Sequence, residues 1–360
     1  MKIAIVVGSK IKPGLEADVA AGLSPGRDYF ELAQMLGATL INYDQPTDLV
    51  SRLLWKVLGR PAAHAWLAFR RRAEYDVIHT LSEDVGLVLA LLFKLARVRR
   101  GHVMVAHYLT PPKKRLLFRL FHVASHIDKI IVYSTPQLRV ARGGLGLPEQ
   151  KVECVLHPAD HLFWRPEAGP VQDLICSAGL EFRDYPTLLK AVDGLPVQAV
   201  IAAASPWSKR RNETTDRPLP ANVTTVSLSP VELRHLFAQA RFVVVPLYDV
   251  DFQAGSLVMY EAMACGKAVI ATRTRGQEDI LRPGVTGYYV PPGDASALRQ
   301  VIMELLAVPQ TAEAMGRSAR ETVENGLNLQ HYVERVAQIV RAVAEDHELA
   351  MAAPTEREPA

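Results

Sequence analysis

Residues 241–292 read RFVVVPLYDVDFQAGSLVMYEAMACGKAVIATRTRGQEDILRPGVTGYYVPP. An apolar, β-rich run from Phe242 to Tyr248 ends in a polar loop, Asp249 to Gly255. The segment from Ser256 to Cys265 has helical character and stops at Gly266, and a second buried-type strand, Ala268 to Thr272, begins at once. Strand, loop, helix, strand is the unit of an open parallel sheet, whose ligands sit outside the carboxyl ends of the strands. The loop before Ser256 offers backbone N–H groups and a helix N-terminus to that crevice, which suits an anionic or hydroxyl-rich ligand. Glu261 shares a helix face with Leu257 and Ala264. A carboxylate on an apolar face is costly without a partner, so one is expected for Glu261.

Outward from this stretch the same alternation recurs. Toward the N-terminus, strand-like runs IAIVVG, ATLINY, DVIHTL, HVMVAHY, KIIVYST and KVECVLH are separated by helix-like segments such as RDYFELAQML and DVGLVLALLFKLAR. A connector with Pro, Trp and His, HPADHLFWRPEAGP, breaks the pattern near residues 157–170. The alternation restarts with DLICSAG, VQAVIAAA, VTTVSL and RFVVVPLY, and predicts a doubly wound α/β fold in each half. Ser229, Pro230 and Glu232 have the spacing of a helix capping box, and Asp294 starts another helix. After Gly326, NLQHYVERVAQIVRAVAE has helical spacing throughout, and no repeat of solenoid or propeller type is present.

The 360 residues suffice for two ordinary domains, and 49% hydrophobic with 22% charged residues is the composition of a soluble globular chain. No apolar run is long enough to span a bilayer, and Met1-Lys2 leads straight into a strand without a signal peptide. The three cysteines, Cys154, Cys176 and Cys265, lack metal-ligand spacing and are expected as small core residues in a reducing cytoplasm. Charge is divided unevenly. Up to Asp160 there are 22 Lys and Arg against 14 Asp and Glu, a balance of +8, and the remainder has 19 against 24, a balance of −5.

The run AGSLVMYEAMACGKAVIATRTRGQEDILRPGVTGYYVPPGD resembles the donor-binding signature of glycosyltransferase family 4, retaining enzymes of the GT-B fold. In that family two Glu residues separated by seven others mark the nucleotide-sugar site. Glu261 falls on the second, and Gln253 stands where the first is expected. The likeness is strong from Leu174 onward and weaker before it. It implies two Rossmann-like domains facing across a cleft: residues 1–165 for the acceptor and 166–327 for the donor. A crossover helix over 328–347 would return to the first domain, and 348–360 are expected to be a disordered tail.

The resemblance also implies site residues, and each has a plainer reading. Ala254, Gly255, Ser256 and Leu257 would line the donor site with Glu261, although any one glycine is explained by a turn alone. Gly179-Leu180-Glu181-Phe182-Arg183-Asp184 resembles the loop whose Arg and Lys grip the diphosphate. Leu180 replaces that Arg, leaving Arg183, with Lys209 and Arg210 as substitutes that would otherwise be a solvated basic run. His107, at the end of HVMVAH, would reach toward the donor sugar, whereas a strand-end His by itself is a solvated or core residue, as His79 can be. Gly8 and Arg27 occupy loops expected on the acceptor side, where the family's Gly-Gly pair is absent. Asp249-Val250-Asp251 is a weak metal signal, and metal-independent chemistry is expected, with cations and N–H dipoles meeting the leaving-group charge.

The expected partners are therefore a nucleotide-diphosphate sugar and a hydroxyl acceptor, with no nucleic acid and no cofactor. LLWKVLGR, WLAFRRR and PPKKRLLFRLFH combine basic and bulky apolar residues. They suit either an anionic membrane surface with a lipid-linked acceptor or an ordinary helix with its apolar side inward. Two other readings stay open: a nucleotide-sugar epimerase of the same fold, and a catalytically silent partner subunit, favoured by Gln253 and Leu180. A sugar phosphorylase would need a pyridoxal-phosphate lysine motif, which the sequence lacks.

Overall fold

Two parallel sheets, joined by the connector near residue 160, carry the chain. The computed structural model describes residues 1–8, 11–42, 48–203 and 218–352. The first sheet contains β1 (Ile3–Val6), β2 (Thr39–Ile41), β3 (Val77–Thr80), β4 (Gly101–Ala106), β5 (Lys129–Val132) and β6 (Val152–Cys154) in the order β2-β1-β3-β4-β5-β6. The second contains β7 (Leu174–Ala178), β8 (Gln198–Ala202), β9 (Val223–Val226), β10 (Val243–Val245), β11 (Val269–Thr272) and β12 (Gly287–Val290) in the order β12-β11-β10-β7-β8-β9. Every pairing among these strands is parallel. The architecture is GT-B: two Rossmann-like domains, each with helices on both faces of its sheet.

The side-chain alternation of β1 shows how the layers form. Ile3 and Ile5 pack with Leu32 and Val336, and Ala4 and Val6 pack with Ala65 and Phe93 on the opposite face. Helix Asp28–Leu36 and the last helix, Leu329–Ala352, thus cover one face of the first sheet. Helices Arg60–Arg70, Glu83–Leu95 and Pro112–Phe121 cover the other, and Leu49–Leu58 packs on Arg60–Arg70. Same-handed crossovers put the helices between β2 and β5 on that one side.

The last helix crosses from the second domain back to the first, and Tyr332 Oη lies 3.0 Å from Tyr133 Oη. It extends past residue 347, the end expected from the sequence, and residues 353–360 lie outside the described residues. The two crossing segments run side by side: Ala159 N–H donates to the Leu327 carbonyl and Leu329 N–H to the Ala159 carbonyl. Phe163 and Trp164 of the connector are buried in the core of the second domain. The capping box forms as expected, Ser229 and Glu232 each accepting the other's backbone N–H.

Strand β12 is an addition to the expected set. It is short, and its register requires Gly287, where a Cβ would lie 2.0 Å from the Val269 carbonyl oxygen. Cys176 and Cys265 are buried, and Cys154 is half-buried. His79 is a core residue, fully buried, with its Nδ1 3.1 Å from the Val103 carbonyl; burial pushes its pKa down to about 4.

Candidate active site between the two domains

The loops after β7 and β10 and the N-terminus of helix Ser256–Ala264 converge at the carboxyl edge of the second sheet. Gly255 caps that helix in the left-handed region, φ 75°, where other residues are strained. Its small size is also needed, because a Cβ there would sit 3.0 Å from Val245 and 3.2 Å from Arg183 Nη1. Ala254 and Ser256 are buried, and Ser256 Oγ donates to the Gln253 carbonyl at 3.2 Å.

Leu257, expected to share an apolar face with Glu261, is 43% exposed. Exposure falls along that face, from Leu257 through half-buried Glu261 to Ala264 in the core. Glu261 is half-buried and accepts no hydrogen bond among the described residues. Desolvation pushes its carboxyl up to about 8, against the pull of Arg27 and then Arg183. The partners of this carboxylate are thus two charges, one from each domain. Arg27, expected on the acceptor side, lies near enough to act on a donor-side group.

Arg183 is buried, and burial pulls its pKa down despite Tyr185, Glu261 and Glu181 nearby. Its Nε donates to the Ala178 carbonyl and its Nη1 to the Glu181 carbonyl, both at 2.9 Å. Gly179, with φ 89°, leaves room for Nη2, which a Cβ would approach to 2.5 Å. The guanidinium therefore holds the Gly179 loop in shape while keeping a positive charge under Gly255 and beside Glu261. Lys209 and Arg210 lie outside the described residues.

Gln253 Nε2, in the loop, and Tyr260 Oη, on the helix, are buried beside each other, close enough to interact but without a well-formed hydrogen bond to any described residue. A buried amide N–H₂ without an acceptor is costly, and an incoming acceptor atom would relieve that cost. Asp249 is held by Arg275, through the backbone N–H at 3.0 Å and Nε at 2.9 Å. Asp251 Oδ1 accepts from Tyr108 Oη at 2.8 Å. The two carboxylates thus point to separate protein donors rather than to one shared point.

The opposite wall belongs to the first domain. Gly8 approaches Ser82, with 3.1 Å from an added Cβ to Ser82 Cβ, and Ser82 caps the helix that begins at Glu83. Glu83 is buried and accepts from His107 N–H at 3.0 Å, Tyr108 N–H at 3.1 Å and Lys114 Nζ at 2.6 Å. Burial raises its pKa, but His107 and Lys114 outweigh that and bring it below the ordinary value. Glu83 therefore fixes the turn that presents His107, which is exposed. The His107 ring Nε2 lies 3.1 Å from the Leu81 carbonyl, which can only accept; Nδ1 then carries the lone pair of the neutral ring.

Three further residues, absent from the expected set, tie the walls together. Gln137 accepts from Leu109 N–H and donates to the Asp251 carbonyl, both at 2.9 Å. Thr135 N–H donates to Asp279 Oδ2 at 2.8 Å, and Arg139 pairs with Glu278 at 2.7 Å. Tyr108 also stacks obliquely on Phe252, with ring centroids 5.1 Å apart. The expected donor-side residues, Arg183 and Gln253 to Glu261, stand together around one loop and helix start, and Gly8 and His107 stand on the facing domain.

Residues 180–322 match the family pattern of glycosyl transferases group 1. Residues of the chain are 33% identical over 90 positions to N-acetyl-alpha-D-glucosaminyl L-malate synthase of Bacillus anthracis, spanning 25% of this chain and 24% of that protein. A longer alignment, 23% identical over 262 residues, covers 70% of the chain and 63% of the amylovoran biosynthesis glycosyltransferase AmsK of Erwinia amylovora. Each alignment thus spans less than two thirds of the relative's length. HepE of Anabaena, solved in complex with UDP-glucose, shares the fold with a TM-score of 0.71 and 17% identity, over 95% of this chain and all of HepE. Residues 180–322 thus carry the glycosyl transferases group 1 pattern, within a chain whose fold is GT-B.

Proposed function

We propose that this chain transfers a hexosyl unit from a nucleotide-diphosphate sugar to a hydroxyl acceptor, with retention at the anomeric carbon and without a metal. The observation that carries the reading is Glu261, under the pull of Arg27 from one domain and Arg183 from the other, on the helix whose N-terminus opens at Gly255. A carboxylate with no hydrogen bond among the described residues suits two ribose hydroxyls, and the N–H groups at Ser256 and Leu257 suit phosphate oxygens. Arg183 adds a buried positive charge against the departing diphosphate. The fold of HepE, solved with UDP-glucose, supports a nucleotide-sugar donor.

In this reading the bond from the anomeric carbon to the diphosphate oxygen breaks as the acceptor oxygen bonds to the same face of that carbon. The acceptor proton passes to the departing phosphate oxygen. Gln253 Nε2, buried and without a well-formed hydrogen bond among the described residues, donates to a donor-sugar or phosphate oxygen. It supplies no charge, so stabilisation of a cationic sugar depends on the diphosphate itself. His107 Nδ1 accepts from a sugar hydroxyl. Gly8 and the Ser82 turn border the acceptor, whose class extends to glycans, lipid-linked sugars and small molecules.

The substitution of Gln253 and Leu180 at family positions favours a second reading, a silent partner subunit that binds nucleotide only. Turnover separates the two. Release of nucleotide from a sugar nucleotide by the wild-type chain, a large fall in Gln253→Ala and a smaller one in Gln253→Glu support transfer. Binding of nucleotide with no transfer and no slow hydrolysis supports the silent subunit. Free epimerised sugar formed without an acceptor would instead indicate an epimerase.

A further inference from the structure

Helix Leu49–Leu58 turns its apolar side outward. Leu49 is 82% exposed, Leu53 61% and Val57 66%, one stripe at four-residue spacing, and Leu58 at the helix end is 66% exposed. The inner side is made by Ser51, which is buried, and by the half-buried Leu54 and Trp55. Exposed Arg52 and Lys56 flank the stripe. A second exposed group, Leu116, Leu120 and Phe121 with Lys113 and Arg119, lies on helix Pro112–Phe121. Both helices belong to the same side of the first sheet, away from the last helix.

We infer that this side of the first domain docks on an anionic lipid bilayer, with the Leu49–Leu58 helix lying in the interface. Apolar residues lined up in water and edged by cations are the pattern of interfacial helices, where apolar burial and lipid charge add. Charge complementarity selects the occupant. The chain up to Asp160 has a balance of +8, so a second copy seated on the same patch would set like charges against each other. No helix among the described residues is long and apolar enough to cross a membrane, so the contact is peripheral. Helix Arg60–Arg70 does not take part through its apolar side, because Ala65, Ala68 and Phe69 are buried in the core. The inference is independent of the transfer reaction and stands or falls without it.

Co-sedimentation of the full chain with vesicles tests it. Expected is binding to vesicles of phosphatidylcholine with phosphatidylglycerol, weaker in moderate salt, and much weaker binding to phosphatidylcholine alone. Arg52→Gln with Lys56→Gln should lower partitioning roughly twenty- to thirtyfold, since each basic side chain near such a surface contributes roughly fivefold. Leu53→Asp with Val57→Asp should abolish binding while leaving the melting temperature unchanged, because both side chains are exposed. Met303→Asp, at an exposed site of the second domain, should bind like wild type. Failure of the wild-type chain to bind phosphatidylglycerol vesicles at low salt overturns the inference, as does undiminished binding by both double variants. A dimer in sedimentation equilibrium that Leu53→Asp with Val57→Asp dissociates would assign the stripe to a second copy and overturn it too.

Discussion

Tyr108 Oη donates a hydrogen bond to Asp251 Oδ1 at 2.8 Å, joining the turn that presents His107 to the loop that carries Gln253. The two residues belong to different domains, so this bond links the two walls of the site. Tyr108→Phe and Asp251→Asn should each slow turnover, and the double variant should be little worse than either. The coupling expected for a hydrogen bond to a charged group is about 1.5–3 kcal/mol. Additive effects in kcat/KM would show that the bond has no part in catalysis.

Glu261 should make both stability and nucleotide binding depend on pH. Its carboxyl in the folded chain ionises at about 8, above the ordinary 4.5, so the folded state holds the proton more tightly. Folding stability is then lost as pH rises between those values, at most about 1.4 kcal/mol per pH unit. Glu261→Gln should remove that loss and gain on wild type from pH 5 to 8 in urea denaturation. Nucleotide affinity should run the other way, rising from pH 6.5 to 8.5 as the carboxylate forms, and staying flat in Glu261→Gln. Parallel pH profiles for the two proteins would disprove the role of this carboxyl.

Removing the Glu83 side chain leaves Lys114 and two backbone N–H groups without their shared acceptor. Glu83→Ala should cost about 3–5 kcal/mol of stability, the range for breaking a buried pair. Denaturation midpoints measure it, and a loss below about 1 kcal/mol would contradict the assignment of Glu83 as the anchor of the His107 turn.

Metal dependence is the next check. With Asp249 held by Arg275 and Asp251 by Tyr108, turnover should survive excess EDTA. Loss of activity with EDTA and its return on adding manganese or magnesium would assign these carboxylates to a metal.

Residues 241–272 were legible as strand, loop, helix and strand because everything needed for that reading is contiguous. Glu261 stood out for the same reason: a carboxylate among Leu257 and Ala264 is visible at helical spacing. The cross-cleft partners were not legible. Tyr108 and Asp251 are 143 residues apart and Gln137 and Asp251 114, and no local pattern records such pairs. Arg27 sat in a loop whose distance to Glu261 depends on how the domains close. Composition also left open which side of each basic helix faces inward. Phe69 goes into the core because β1 and helix Glu83–Leu95 lie beneath it, whereas Leu53 and Val57 are exposed, with no element among the described residues above them. Strand β12 is harder to read because its apolar run, Tyr288 to Val290, is only three residues long and its start depends on a glycine against the Val269 carbonyl.

Titration calorimetry of the wild-type chain with nucleoside diphosphates and their sugar conjugates, each with and without chelator, tests the donor site most directly. At least one nucleotide should bind, with affinity unaffected by chelator and weakened by about 1.5–3 kcal/mol in Glu261→Ala and again in Arg183→Ala. Absence of binding for every nucleotide and sugar nucleotide at millimolar concentration, or full affinity in both folded variants, would contradict a nucleotide-sugar site at this cleft.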